Sequence, residues 1–236
     1  MATNAASLND IGGDALKGQL YVAPDLAEAA ANDPIVSNMR GTHDFLRKGF
    51  EAIGNALRTQ DPTRTAEAHF MEVKKKAEQW LSDGARKAEA TRTAAETAIA
   101  EIEREIVEEL GIKDGKYASE IRAHFLQMPK NDRINAIRAA IEKRDAETLG
   151  ALLSGPSFLS GFSDDEQALF RRLYAEKYAA KPLARKAAIE KSVEINRRTF
   201  DEALIAVSAM FPQGKAADIS ARIEKAQAAK DGILAS

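Results

Sequence analysis

The chain has 236 residues, 44% of them hydrophobic but only 6% aromatic, and its 34 Lys and Arg against 36 Asp and Glu leave a net charge of -2. A balance this close to neutral excludes a global electrostatic attraction to DNA or to anionic membranes. The absence of cysteine excludes disulfides, thiolate metal sites and cysteine nucleophiles. Alanine is abundant, and alanine faces let helices approach closely while burying little area each. An all-α fold with a thin core is expected, an extended helical bundle rather than a ball.

The first residues, "MATNAASLND", have no basic or apolar region of the kind a secretory signal needs. The longest uncharged run near the middle, Leu149 to Ser163, is broken by Gly and Pro and falls short of the roughly 20 apolar residues of a membrane span. A soluble, intracellular or virion-type protein is the default expectation, neither secreted nor spanning a membrane.

Residues 1–33 read as a flexible N-terminal arm. Gly12, Gly13, Gly18 and Pro24 interrupt any long helix, and Asp10, Asp14, Asp25, Glu28 and Asp33 face one base, Lys17. A short helix fits from about Asp25 to Ala31, ending at Asp33-Pro34. Leu16, Leu20, Tyr21 and Val22 are its candidate contacts to a neighbouring subunit.

From Pro34 to Thr59, Ile35, Met39, Phe45, Leu46, Phe50, Ile53 and Leu57 recur at helical spacing. Asp61-Pro62 breaks the chain, and Thr63 is placed to cap the next helix. No proline then occurs up to Gly111. A seam runs through Ala66, Phe70, Val73, Ala77, Trp80, Gly84, Ala88, Thr91, Ala95, Ala98, Ile102 and Ile106. It takes about 3.6 residues per step, which predicts a nearly straight helix rather than a supercoil. About 48 residues of helix would reach roughly 70 Å. The seam is bulky at Phe70 and Trp80, and small from Gly84 to Ala95. The small part either admits a close second helix or faces solvent, and Gly84 is the expected kink.

"GIKDGKY", residues 111–117, is a turn. Short helices follow through Ile121, Phe125 and Leu126, then Ile134, Ile137 and Ile141, then Leu149, Leu152 and Leu153. Gly155-Pro156 stops the last of these. Phe158, Leu159 and Phe162 are expected to insert into the core, with the serines between them capping or turning backbone. Ser163 with Glu166 forms a capping box for a helix running to Tyr178. Pro182 is expected to break the chain before a long helix through Ala187, Val193, Phe200, Leu204 and Val207. "PQG" at 212–214 turns it into a last helix from Lys215 to Lys230. No segment alternates with period two, so no sheet is expected. Three parts result: the arm 1–33, a helical hairpin with its long spine at 34–111, and a bundle of shorter helices at 112–236.

Chemistry is sparse. His43, His69 and His124 are scattered without a second ligand at metal-pair spacing. No Walker A, G-x-G-x-x-G, H-E-x-x-H or EF-hand pattern occurs, so no cofactor, metal or catalytic residue is expected. Glu101, Glu103, Glu105, Glu108 and Glu109 read as a solvated helix face. Ser157 lacks the second glycine of a nucleophile elbow, and no strand precedes it. From Phe170 to Lys186, six bases (Arg171, Arg172, Lys177, Lys181, Arg185, Lys186) face one acid, Glu176. They are the candidate partner- or nucleic-acid-binding residues, within a basic segment at 170–198. Phe170, Tyr174 and Tyr178 interleave with them as stacking residues would. Their spacing of four, however, puts them on one face that packs inward.

The stretch "DAETLGALLSGPSFLSGFSDDEQALFRRLYAEKYA" resembles a group of uncharacterised helical proteins encoded by bacteriophages and prophages, and "YVAPDLAEAAANDPIVSNMRGTHDFLRKGFEA" has a similar character. The resemblance covers about a third of the chain. It implies a virion or assembly component and no catalytic residues. The leading expectation is a non-enzymatic structural protein whose partners are copies of itself or other virion proteins. A nucleic-acid-associated protein using the basic segment is the alternative, and an enzyme without a recognisable motif the third.

Overall fold

A computed structural model of the protein describes residues 11–234, with side chains to Asp231. The described residues form ten α-helices and two 3-10 turns, with no strand. The helices are α1 (Asp14–Lys17), α2 (Ala27–Ala31), α3 (Pro34–Arg58), α4 (Ala66–Leu110), α5 (Ala118–Gln127), α6 (Lys130–Lys143), α7 (Ala146–Leu153), α8 (Asp164–Tyr178), α9 (Ala180–Met210) and α10 (Gln213–Leu234). The 3-10 turns are Pro24–Leu26 and Ser157–Leu159. The fold is all-α, and α4 is its long helix at 45 residues.

The chain divides into two compact units. Unit 1 comprises Met1–Ala95 and Ile189–Ser236, and unit 2 comprises Glu96–Ala188. The divisions expected at 33/34 and 111/112 fall at helix ends. The units instead part within α4 and within α9, where no glycine or proline marks the sequence.

Unit 1 is built on the small-residue seam. Asp33 caps α3, its carboxylate accepting from the amides of Ile35 and Val36 at 2.8 and 3.1 Å. Pro34 sits at the first helical position, where a missing N–H costs nothing. Leu46, Phe50 and Ile53 of α3 meet Val73 and Ala77 of α4 and Ala203, Ala206 and Val207 of α9 in one apolar cluster. Two glycines set the approach of α3 to α4. A Cβ on Gly49 would lie 1.9 Å from Trp80 Nε1, and one on Gly84 would lie 2.8 Å from Leu46 Cδ2. Gly84 is thus a point of close contact, and α4 continues unbroken through it. Of the seam, Val73, Ala77, Ala95, Ala98 and Ile102 are buried, whereas Ala66 at the helix start is exposed.

Unit 2 packs shorter helices around larger side chains. Leu149, Leu152 and Leu153 of α7 are fully buried with Ile137, Phe170 and Tyr174. The left-handed conformation of Arg144 (φ 51°) ends α6, and Asp145 caps α7 by accepting from the Thr148 amide at 3.1 Å.

Several local expectations change. Thr63 does not cap α4: it donates to Asp61, and Thr65 Oγ1 accepts from the Ala68 amide at 3.2 Å. Pro182 does not break the chain. A single residue, Ala179, separates α8 from α9, and Pro182 lies in the first turn of α9, where no helical bond uses its nitrogen. Leu126 and Leu204 are exposed. On α9 the buried face carries Val207 as expected, together with Ser192, Asn196, Thr199, Ala203 and Ala206. Gln213 and Gly214 lie inside α10 rather than in a turn before it.

Candidate functional site

The corner between α7 and α8 is held from within by polar side chains. The last carbonyls of a helix have no partner of their own. Here Arg122 Nε donates to Ala151 O at 2.7 Å, Gln167 Nε2 to Leu152 O at 2.9 Å, and Arg171 Nε to Leu153 O at 2.7 Å. Gln167 also reaches Gly155 O at 2.9 Å, and Ser160 Oγ donates to Ser157 O at 3.0 Å. Ser157 Oγ donates to Asp164 at 2.5 Å, and Ser154 Oγ to Asp114 at 2.5 Å. All three serines thus serve backbone or carboxylates, and none of these partners is a histidine. The expected capping box is present: Ser163 Oγ accepts from the Glu166 amide at 3.2 Å, and Glu166 accepts from the Ser163 amide at 3.0 Å.

The apolar residues of the corner do not all turn inward. Phe162 is buried beside Phe170, with ring centroids 5.3 Å apart. Phe158, by contrast, is 71% exposed and Leu159 38% exposed, against the expectation that both insert into the core. The reason is the 3-10 turn: its polar Ser157 and the following Ser160 take the inward positions and tie the backbone down, leaving the two apolar residues between them outside. Exposed Leu126 belongs to the same corner, its Cδ2 being 3.2 Å from the position of a Cβ on Gly161. The charged rim carries both signs. Lys130 pairs with Glu166 at 2.7 Å, the Arg133 guanidinium lies against Gly161, and Asp164 and Asp165 open α8.

Three carboxylates around this frame are shifted. The Ser154 hydroxyl, then Arg122, hold Asp114 below its ordinary value. Lys130 and the Ser163 amide do the same for Glu166. Partial burial opposes ionisation of Asp145, but its bonds from Thr148 prevail and lower it.

The basic segment is largely engaged inside its own unit. Arg171 serves the end of α7, Arg172 pairs with Glu176 at 3.6 Å, Lys177 bonds Glu142, and Lys186 pairs with Glu103 at 2.7 Å. Lys181 is exposed, and Arg185 is partly buried. Phe170 and Tyr174 are buried, and the Tyr174 hydroxyl donates to Leu110 O at 3.1 Å. No row of stacking rings faces outward from this helix.

The candidate arm contacts separate. Leu16 is fully buried and Leu20 nearly so, within this chain. The amide of Leu16 donates to Glu202 at 2.8 Å, and His43 Nε2 donates to Ala15 O at 2.9 Å. The arm around Ala15 and Leu16 is therefore bound to α3 and α9 of its own unit. Val22 is partly buried, and Tyr21 is 64% exposed. Residues 1–10 of the arm lie outside the described residues. His69 bonds Ala56 O at 2.9 Å, and His124 is exposed beside Phe125. Among the described residues no three His, Asp or Glu side chains converge to hold a metal ion, and no helix is long and apolar enough to cross a membrane.

Unit 1 holds a second feature. A cavity of about 400 Å³ lies between α3, α4 and α9, lined by Met39, Ala85, Ala88, Thr91, Val193, Asn196 and Phe200. Glu89, Arg92 and Arg197 also border it. Arg92 pairs with Glu89 at 2.6 Å and Arg197 with Asp201 at 3.0 Å. The small residues of the α4 seam leave this space. Sequence reasoning missed Asn196, because tracing α9 through its large apolar residues passed over the small and polar ones. Ser192, Asn196, Thr199 and Ala203, three or four residues apart, were the available signal.

Comparison with protein families, with curated proteins and with solved structures finds no match to this chain.

Proposed function

We propose that the protein is a non-enzymatic assembly component that associates with copies of itself through the apolar corner of unit 2. The observation that supports this reading is Phe158, an aromatic side chain 71% exposed on a turn whose backbone is fixed from inside. A large apolar side chain presented by a rigid frame is a typical anchor of a protein interface. Covering it on association contributes about 1.5–3 kcal/mol. The rim carries both signs, with Lys130 and Arg133 beside Glu166, Asp164 and Asp165, so that it does not repel a second copy of itself. We place that assembly in a phage particle on the resemblance read from residues 145–179 of the sequence. Nucleic-acid binding is the weaker reading, since Arg171, Arg172, Lys177 and Lys186 already have partners in this chain.

Sedimentation velocity over a concentration series tests the proposal. The wild-type chain associates with rising concentration, and Phe158→Ser abolishes the association while leaving helicity unchanged. A wild-type monomer at every concentration, or association unaltered by the variant, contradicts it.

A further inference from the structure

We infer that the seat of the N-terminal arm on unit 1 also accepts the arm of a second copy, so that residues 12–16 pass between neighbouring chains. The seat is shaped to this segment. Leu16 is fully buried in the cluster that holds Phe50, Ala203 and Val207. Its amide donates to Glu202 Oε2 at 2.8 Å, and Arg198 Nε donates to the other oxygen of that carboxylate at 2.9 Å. His43, itself fully buried, donates from Nε2 to Ala15 O at 2.9 Å. The two glycines ahead leave no room for side chains. A Cβ on Gly12 would lie 3.0 Å from the Phe50 ring, and one on Gly13 would lie 2.4 Å from Glu202 Cδ. The seat therefore selects Gly-Gly-x-x-Leu by shape and by two main-chain hydrogen bonds.

The chain behind this segment is thinly held. Between Lys17 and Asn32 only Leu20 and Ala30 are buried. Tyr21–Ala23 is irregular, with Tyr21 64% exposed, and α2 beyond it has five residues. So short a helix adds little resistance to opening. Stretched out, Lys17–Ala29 reaches roughly 40 Å, far enough to deliver Leu16 to an adjacent copy. Each contact of the seat is the same whichever chain supplies the arm, so exchange costs mainly the loss of the tether. A short tether acts as a ligand at roughly millimolar concentration, which keeps the arm on its own chain in dilute solution. Copies packed side by side match that concentration, and there the arms exchange.

Two full-length variants test this, both carrying Phe158→Ser so that the corner of unit 2 plays no part. Leu16→Asp spoils the arm of one chain and leaves its seat empty. Glu202→Lys spoils the seat of the other and leaves its arm free. Mixed, they should form a heterodimer in sedimentation velocity, absent from either chain alone. Adding Gly13→Val to the Glu202→Lys chain should weaken that heterodimer by about tenfold or more. No heterodimer from two variants of wild-type helicity would overturn the inference, and so would one that Gly13→Val leaves unchanged. If either variant does not fold, a synthetic peptide of residues 11–22 is added to the wild-type chain at millimolar concentration. It should displace the tethered arm and move the chain's own Leu16 methyl signals to their solvent-exposed positions by NMR. Leu16 signals that stay in place would overturn the inference as well. Failure of the corner contact leaves these outcomes untouched, because none of them uses Phe158.

Discussion

Units 1 and 2 bury their helices by different means. Unit 1 brings long helices together through missing side chains: Gly49 receives Trp80, and Gly84 receives Leu46. Unit 2 fills a core with whole leucines and aromatics, and ties its short helices at their ends through Asp145, Ser163, Gln167 and Arg171. Close approach leaves little tolerance for added atoms. Large side chains and caps leave little tolerance for lost ones. The two units should therefore fail under opposite kinds of substitution.

The largest effect that sharpens the contrast is expected in unit 2. Leu152→Ala empties a fully buried site and should cost about 2–5 kcal/mol, measured by denaturant unfolding. In unit 1, Gly49→Ala places a Cβ 1.9 Å from Trp80 Nε1, so the indole must move. A loss of about 1–3 kcal/mol is expected, with a change in Trp80 fluorescence. An unchanged stability for Gly49→Ala would remove the distinction between the units. Ser163→Ala deletes one half of the capping box and should cost about 1 kcal/mol, visible as faster amide exchange at the start of α8.

Acid should loosen the polar ties of unit 2. Asp114, Asp145 and Glu166 all belong to unit 2, and all are held below their ordinary values in the folded chain. Each is more acidic folded than unfolded. Its contribution is thus complete above the ordinary carboxylate value of about 4 and is lost as pH falls through the lowered one. Amide protection within 114–166 should decline on acidification, while the Gly49–Trp80 contact, which involves no titrating group, persists. The smallest effect concerns the corner itself. Phe158→Ser should change stability by no more than about 0.5 kcal/mol, because the side chain is already in water.

The sequence pattern carried the helices well. The seam through Val73, Ala77, Ala95, Ala98 and Ile102 is buried as its spacing requires, and the Ser163–Glu166 capping box forms. Local patterns of this kind depend on the chain's own geometry. The errors lie where long-range partners decide. Pro182 looked like a break but fits a first turn. Phe158 and Leu159 looked like anchors, yet the polar residues Ser157, Ser160 and Gln167 are the ones drawn inward, because the carbonyls at the buried end of α7 and in the turn need donors. Arg171 is part of that same demand, which is why a basic run that reads as a binding face is mostly spent inside the fold. Asn196 escaped notice because the helix was traced through its large apolar residues, while the buried row of α9 runs through Ser192, Asn196 and Thr199.

The central claim is that Phe158 faces another copy of the chain. A photo-reactive phenylalanine analogue in place of Phe158, irradiated in the purified protein at rising concentration, tests it most directly. The account predicts covalent dimers whose crosslinks map to the corner of the second copy, around Leu126, Leu159 and the start of α8. Crosslinks formed only within one chain, or dimers linked at residues far from that corner, would contradict it.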